Sequence, residues 1–222
     1  ARAGLAAPPR PLRAATPEGS APFAVLCEAI DEPVRRAYTG RTERHPEAQL
    51  DDRRFATLMD NLHRAGELAR GMGFRAVIHP HAGTYLETDA EIERMAEGLD
   101  PSLVGLCLDT GHFRYGGADP AQRVRDYAPL IAHVHIKDCD PSVLARVVAE
   151  DGDVVAAIGA GVFCGLGEGD AGIDRVIPAL REIGYDGWLV VEQDKELRAT
   201  DTRAELVASQ RRNLQYLQTL GA

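Results

Sequence analysis

The chain has 222 residues, 45% hydrophobic and 27% charged, which is enough apolar surface to bury one sizeable core. A formal charge of -9 leaves no basic face for a phosphate backbone, so nucleic acid is excluded as a partner and small molecules are the expected ligands. No apolar run reaches membrane length and the four cysteines (Cys27, Cys107, Cys139, Cys164) form no CxxC pair, so the expectations are no membrane partner and a reducing cytoplasm.

Residues 1–22 are rich in Ala, Pro, Arg and Gly without a sustained period, and read as a linker or disordered arm. From Phe23 onward short apolar runs alternate with amphipathic stretches, the pattern of βα units around a parallel sheet. Five strands are predicted, over Phe23–Ala29, Phe74–His79, Leu103–Asp109, Ile131–Lys137 and Gly187–Gln193. Helices fall between them where apolar residues recur at three and four, as in Phe55, Leu58, Met59, Leu62, Ala65 and in Ile173, Val176, Ile177, Leu180, Ile183. The punctuation agrees: Thr88 with Glu91 forms a capping-box pattern, Asp119-Pro120 and Asp140-Pro141 read as helix starts, and Gly184 reads as a helix stop.

Residues 23–222 are therefore expected to form one catalytic domain, a partial (β/α) barrel. A complete eight-unit barrel takes about 250 residues, and with five units legible about three N-terminal ones are expected to be missing. Such an open sheet exposes pairing edges, which makes a second copy of the chain a candidate partner.

Alternate residues of a strand share a face, and barrel enzymes assemble their sites at the carboxyl ends of the strands. In IAHVHIKD this puts His133, His135 and Lys137 on one face; in VGLCLDTGHF it groups Gly105, Cys107 and Asp109, with His112 just beyond. GWLVVEQD groups Trp188, Val190, Glu192 and Asp194, and HPHAGTYLET adds His79, His81 and Glu87. Carboxylates and an imidazole converging on one rim suit a hard-to-borderline divalent cation, manganese or cobalt first, with magnesium a further candidate. Lys137 is read as an oxyanion partner or as a pair for Asp138. His133 is read as a hydrogen-bonded structural residue, Cys107 as packing, GLGEGD at 165–170 as a flexible rim loop, and the long stretch from Asp140 to Gly165 as a lid built partly on a helix over Pro141–Glu150.

HPHAGTYLET, LCLDTGHFRYGGADP, HVHIKD and GWLVVEQD together resemble the xylose-isomerase-like sugar isomerase and epimerase superfamily, most closely its inosose dehydratase branch, from Phe23 to the C-terminus. The resemblance implies a (β/α)8 TIM barrel and one divalent metal held by Glu, Asp, His and Glu. It carries over to Asp109, His135 and Glu192; where relatives place the first glutamate in the strand this chain has His79, so that role is assigned to Glu87. His79, His81, His112 and Lys137 are the candidate substrate contacts. The reaction implied is dehydration of a keto-inositol or similar polyhydroxy ketone by enolisation and loss of the β hydroxyl. Glu192 or Glu87 would take the proton, and His112 or Lys137 would protonate the leaving group. The competing activity is isomerisation or 3-epimerisation of a keto-sugar by the same enolate chemistry. An abasic-DNA endonuclease of this fold is disfavoured by the charge, and a non-enzymatic sugar-binding protein is distinguished by metal content.

Overall fold

The computed structural model describes residues 21–222. The predicted N-terminal arm thus lies, but for residues 21 and 22, outside the described residues. The chain runs β1 (Phe23–Leu26), α1 (Pro33–Ala37), α2 (Asp52–Gly71), β2 (Arg75–Ile78), α3 (Asp89–Gly98), β3 (Val104–Asp109), α4 (Thr110–Tyr115), α5 (Pro120–Asp126) and β4 (Ile131–Ile136). It continues with β5 (Asp138–Cys139), α6 (Pro141–Ala149), α7 (Val154–Gly159), β6 (Phe163–Cys164), α8 (Ile173–Glu182), β7 (Leu189–Val191) and α9 (Arg203–Thr219).

The five predicted strands pair in parallel, in the order β1-β2-β3-β4-β7, as an open half-barrel with β1 and β7 at its edges. The predicted ends were generous. Strand β7 spans only Leu189–Val191, so Glu192 and Asp194 stand just past it. A small antiparallel pair, β5 with β6, has no counterpart in the sequence reading.

Local signals set the helix starts as expected. Thr88 and Glu91 close a reciprocal capping box on α3, while Asp119 and Asp140 cap α5 and α6 ahead of their prolines. Gly184 takes a left-handed φ of 71° after α8, a conformation an L side chain rarely adopts.

Strand parity divides the sheet into a dry face and a chemical face. Ala76, Ile78, Leu106, Leu108, Val134 and Ile136 point outward into one core with Met59, Leu62, Ile92, Met95, Val176, Ile177 and Leu180 of the helices. Each fully buried aliphatic side chain there contributes roughly 1.5–3 kcal/mol. The stretch read as a lid instead packs down: Val147, Val154, Ala157, Val162 and Phe163 form a second small core with Ala82 and Tyr115. Its predicted helix ends at Ala149, one residue short of the expected Glu150.

Loops on the rim are tied by buried charge. Arg35 is fully buried and makes a two-pronged pair with Glu91, at 2.7 Å on each arm. The Asp138 carboxylate accepts hydrogen bonds from the amides of Gly167, Gly169 and Ala171. The GLGEGD segment, expected as a flexible loop, is therefore anchored at two of its amides and at Ala171 just beyond it, and Asp138 is occupied there rather than with Lys137.

A candidate metal centre at the strand ends

Register brings the first two ligand candidates together. In the β3–β4 pairing Asp109 stands opposite His135, after an irregularity between Leu106 and Cys107 that resets the alignment. His79 follows directly on β2, its amide donating to the Leu26 carbonyl, and Glu192 follows β7, its amide donating to Ile136. One donor atom from each of His79, Asp109, His135 and Glu192 lies within 4.8 Å of the others.

Contacts within the group are short. Asp109 Oδ2 is 3.3 Å from His79 Nε2 and 3.6 Å from His135 Nδ1, and His135 Nδ1 is 3.2 Å from Glu192 Oε2. Asp109 is wholly buried; its other oxygen accepts from the amides of Gly111 and His112 at the start of α4. Burial alone would push its carboxyl up. The Lys137 charge, with the neighbouring rings of His135 and His79, holds it well below the usual carboxylate range. The His135 ring, 3.2 Å away, and the Lys137 charge hold Glu192 down as well, to about 2, against the effect of burial. His135 Nδ1 is buried without a well-formed hydrogen bond in spite of these neighbours. Two carboxylates and two imidazoles, one of them with a buried ring nitrogen lacking a partner, fit one divalent cation.

Glu87 does not belong to this group, a correction to the sequence reading. Its carboxylate is buried and accepts from the amides of Gly40 and Gly83, at 2.7 and 2.6 Å. Those amides hold it away from the rim, and burial pushes its carboxyl up to about 7. The fourth donor is His79, expected only as a substrate contact.

A second group, His81, His112 and Asp194, lies beside the first. The rings of His81 and His112 stand 3.7 Å apart between centroids, and burial lowers the proton affinity of both, that of His112 to about 3. Lys137 spans the two groups, with Nζ 2.9 Å from His112 Nε2, 2.9 Å from Asp194 Oδ2, and 3.3 Å from both Asp109 Oδ2 and Glu192 Oε2. Only 1% of Lys137 is exposed, yet these carboxylates raise its proton affinity despite burial. Asp194 was missed as a site residue, although it shares the parity of Glu192. His133 stays outside both groups, its ring 4.8 Å from Phe23 and its Nδ1 buried without a partner, so the hydrogen bond expected for it is absent among the described residues. Cys107 lies a layer below Asp109, fully buried beneath His79 and His135.

Residues 3–218 match the xylose isomerase-like TIM barrel family. The chain belongs to that family. Among curated proteins, it is 37% identical over 177 residues to an inosose dehydratase of Geobacillus kaustophilus (strain HTA426), a match covering 78% of this chain and 56% of the relative. It is 38% identical over 139 residues to an inosose dehydratase of Bacillus cereus (strain AH820), covering 63% and 47%. The chain spans about half the length of the curated relatives it matches. A xylose isomerase domain protein from Planctomyces limnophilus superposes with a TM-score of 0.56 at 20% identity, covering 75% of this chain and 53% of that one. The IOLI protein solved with a bound zinc atom superposes at 0.55 and 16%, covering 87% and 61%. These likenesses show the xylose isomerase-like fold, here as its five-strand part. No helix among the described residues is long and apolar enough to cross a membrane.

Proposed function

We propose that this chain carries the catalytic rim of an inosose-dehydratase-like lyase that removes water from a keto-inositol or a similar polyhydroxy ketone with one divalent ion. The observation that supports it is the convergence of His79, Asp109, His135 and Glu192 within 4.8 Å, with Lys137 bridging to Asp194 and His112 alongside. Manganese or cobalt suits this mixed oxygen and nitrogen set better than a structural zinc, and no thiolate pair is present among its members. When bound, such an ion would supply Lewis acidity to a ketone oxygen and an adjacent hydroxyl.

The chain's own residues supply the rest. Lys137, held charged among Asp109, Glu192 and Asp194, places a fixed positive charge where an oxyanion develops. His112 is kept neutral by burial and by the Lys137 charge; with Nδ1 held by the Ala82 amide, Nε2 is the nitrogen placed to pass a proton to or from the substrate. The reaction takes a proton from the carbon next to the ketone, breaks the carbon–oxygen bond one carbon further on, and returns the proton to the departing hydroxide as water. Glu87, bonded to two loop amides, is withdrawn from this scheme.

The test uses the purified chain, stripped and reloaded with Mn2+ or Co2+, and given a keto-inositol. Growth of a conjugated dione absorbance that requires the ion and is lost in Asp109→Asn supports dehydration. Solvent deuterium exchange with no dione would assign the site to isomerisation or epimerisation. Absence of divalent-ion binding at these four residues sinks the metal reading altogether.

A further inference from the structure

We propose that Lys137 is the resident second cation of this centre: its ammonium fills the place a second divalent ion would take among His81, His112 and Asp194, and so limits the site to one ion per chain. The inference rests on the reading of His79, Asp109, His135 and Glu192 as the ligands of the first ion.

Geometry leads to it. His81, His112 and Asp194 offer three donors within 4.8 Å of one another, and a second ion site would be expected there on donor chemistry alone. Lys137 Nζ reaches two of the three, at 2.9 Å from His112 Nε2 and 2.9 Å from Asp194 Oδ2. The same nitrogen lies 3.3 Å from Asp109 Oδ2 and 3.3 Å from Glu192 Oε2, where it joins the two groups as a bridging charge would. These are lengths of nitrogen–oxygen and nitrogen–nitrogen contacts; a metal in that place would draw its donors to about 2.0–2.3 Å.

Charge gives the same answer. Asp109, wholly buried, and Glu192 and Asp194, each about a third exposed, bring three negative charges to the rim, and the imidazoles are neutral when they ligate. One divalent ion and one ammonium balance three carboxylates. A second divalent ion alongside the lysine would leave a surplus positive charge against an ammonium that is itself buried, which is costly.

The lysine is built in rather than resting there. The Thr110 hydroxyl donates to the Lys137 carbonyl at 2.6 Å and accepts from its amide at 2.9 Å. The stem runs over Gly111, and the ammonium lies 4.9 Å from the centroid of the Phe163 ring, within range of a cation–π attraction. A second ion could enter only after the ammonium had left, with His112 ligating through Nε2 and giving up the 3.2 Å contact from the Ala82 amide to Nδ1.

The experiment counts ions. Wild-type chain, Lys137→Ala and Lys137→Ala/Asp194→Asn are dialysed against micromolar Mn2+, metal is measured per chain, and the manganese paramagnetic resonance spectrum is recorded. The expected content is one ion in the wild type, two in Lys137→Ala with a spin-coupled pair spectrum, and one again in the double variant. Lys137→Met, which keeps the stem over Gly111, replaces Lys137→Ala if the latter lacks a native circular dichroism spectrum, with the same count expected. One ion in the wild type and still one in the lysine variants overturns the proposal and leaves the first site standing, as would two ions in the wild type. A wild type that binds none overturns the reading of the first site instead.

Discussion

The stem of Lys137 passes so close over Gly111 that a β-carbon at 111 would stand 2.6 Å from its Cγ and 2.9 Å from its Cβ and Cδ. The sharp turn from β3 into α4, with Asp109 capping the helix, therefore sets the place of an ammonium carried by the next strand. Gly111→Ala should push that ammonium off Asp194 and His112. Overpacking of this kind costs about 1–3 kcal/mol, and a displacement near 1 Å costs about 100-fold in turnover. Thermal unfolding and dehydratase assays on the same preparation check this; wild-type turnover in Gly111→Ala would remove Lys137 from the machinery.

His79 and Glu87 compete for one ligand position, and the structure favours His79. His79→Ala should lower divalent-ion affinity at least tenfold, comparable to Asp109→Asn, while Glu87→Gln should retain the ion. Equilibrium dialysis against Co2+ decides between them. Loss of the ion in Glu87→Gln with a normal His79→Ala would restore the glutamate.

Glu87 should instead appear in the pH dependence of stability. Burial raises its carboxyl from 4.5 to about 7, so the folded chain holds the proton more tightly than the unfolded one. Its contribution is present in full below pH 4.5 and is lost as pH rises through 7. Glu28, raised to about 7 for the same reason, acts in the same window. Melting temperatures of Glu87→Gln between pH 4.5 and 7.5 should fall less with pH than those of the wild type, and Glu28→Gln/Glu87→Gln should be flatter still. A wild-type slope in both variants would mean neither carboxyl is raised.

Asp138 gathers the amides of Gly167, Gly169 and Ala171. Asp138→Ala leaves all three without their acceptor, at a cost of about 3 kcal/mol, and should open residues 165–171 to proteolysis. Peptide mapping of the first cleavage products tests it, with Asp138→Asn expected to fall between the two.

Period and parity along the chain by themselves determined the parallel βα order, the capping-box and Asp-Pro helix starts, and the shared face of Asp109, His135, Lys137 and Glu192. These are local properties: a strand repeats every two residues, so a polar residue of the right parity near its end must reach the rim. Asp194 carried the same signal two residues past Glu192. What only the tertiary structure decided is which side chains meet. His79 became the fourth ligand candidate because pairing of β1, β2 and β3 carries it beside Asp109, whereas Glu87 was captured by the amides of Gly40 and Gly83, the first 47 residues away in sequence. Lys137 likewise found Asp194, 57 residues on, rather than the adjacent Asp138, whose carboxylate the 165–171 loop had taken. A carboxylate goes to the amides and charges that the fold brings within about 3 Å, and its sequence neighbours do not reveal which those are.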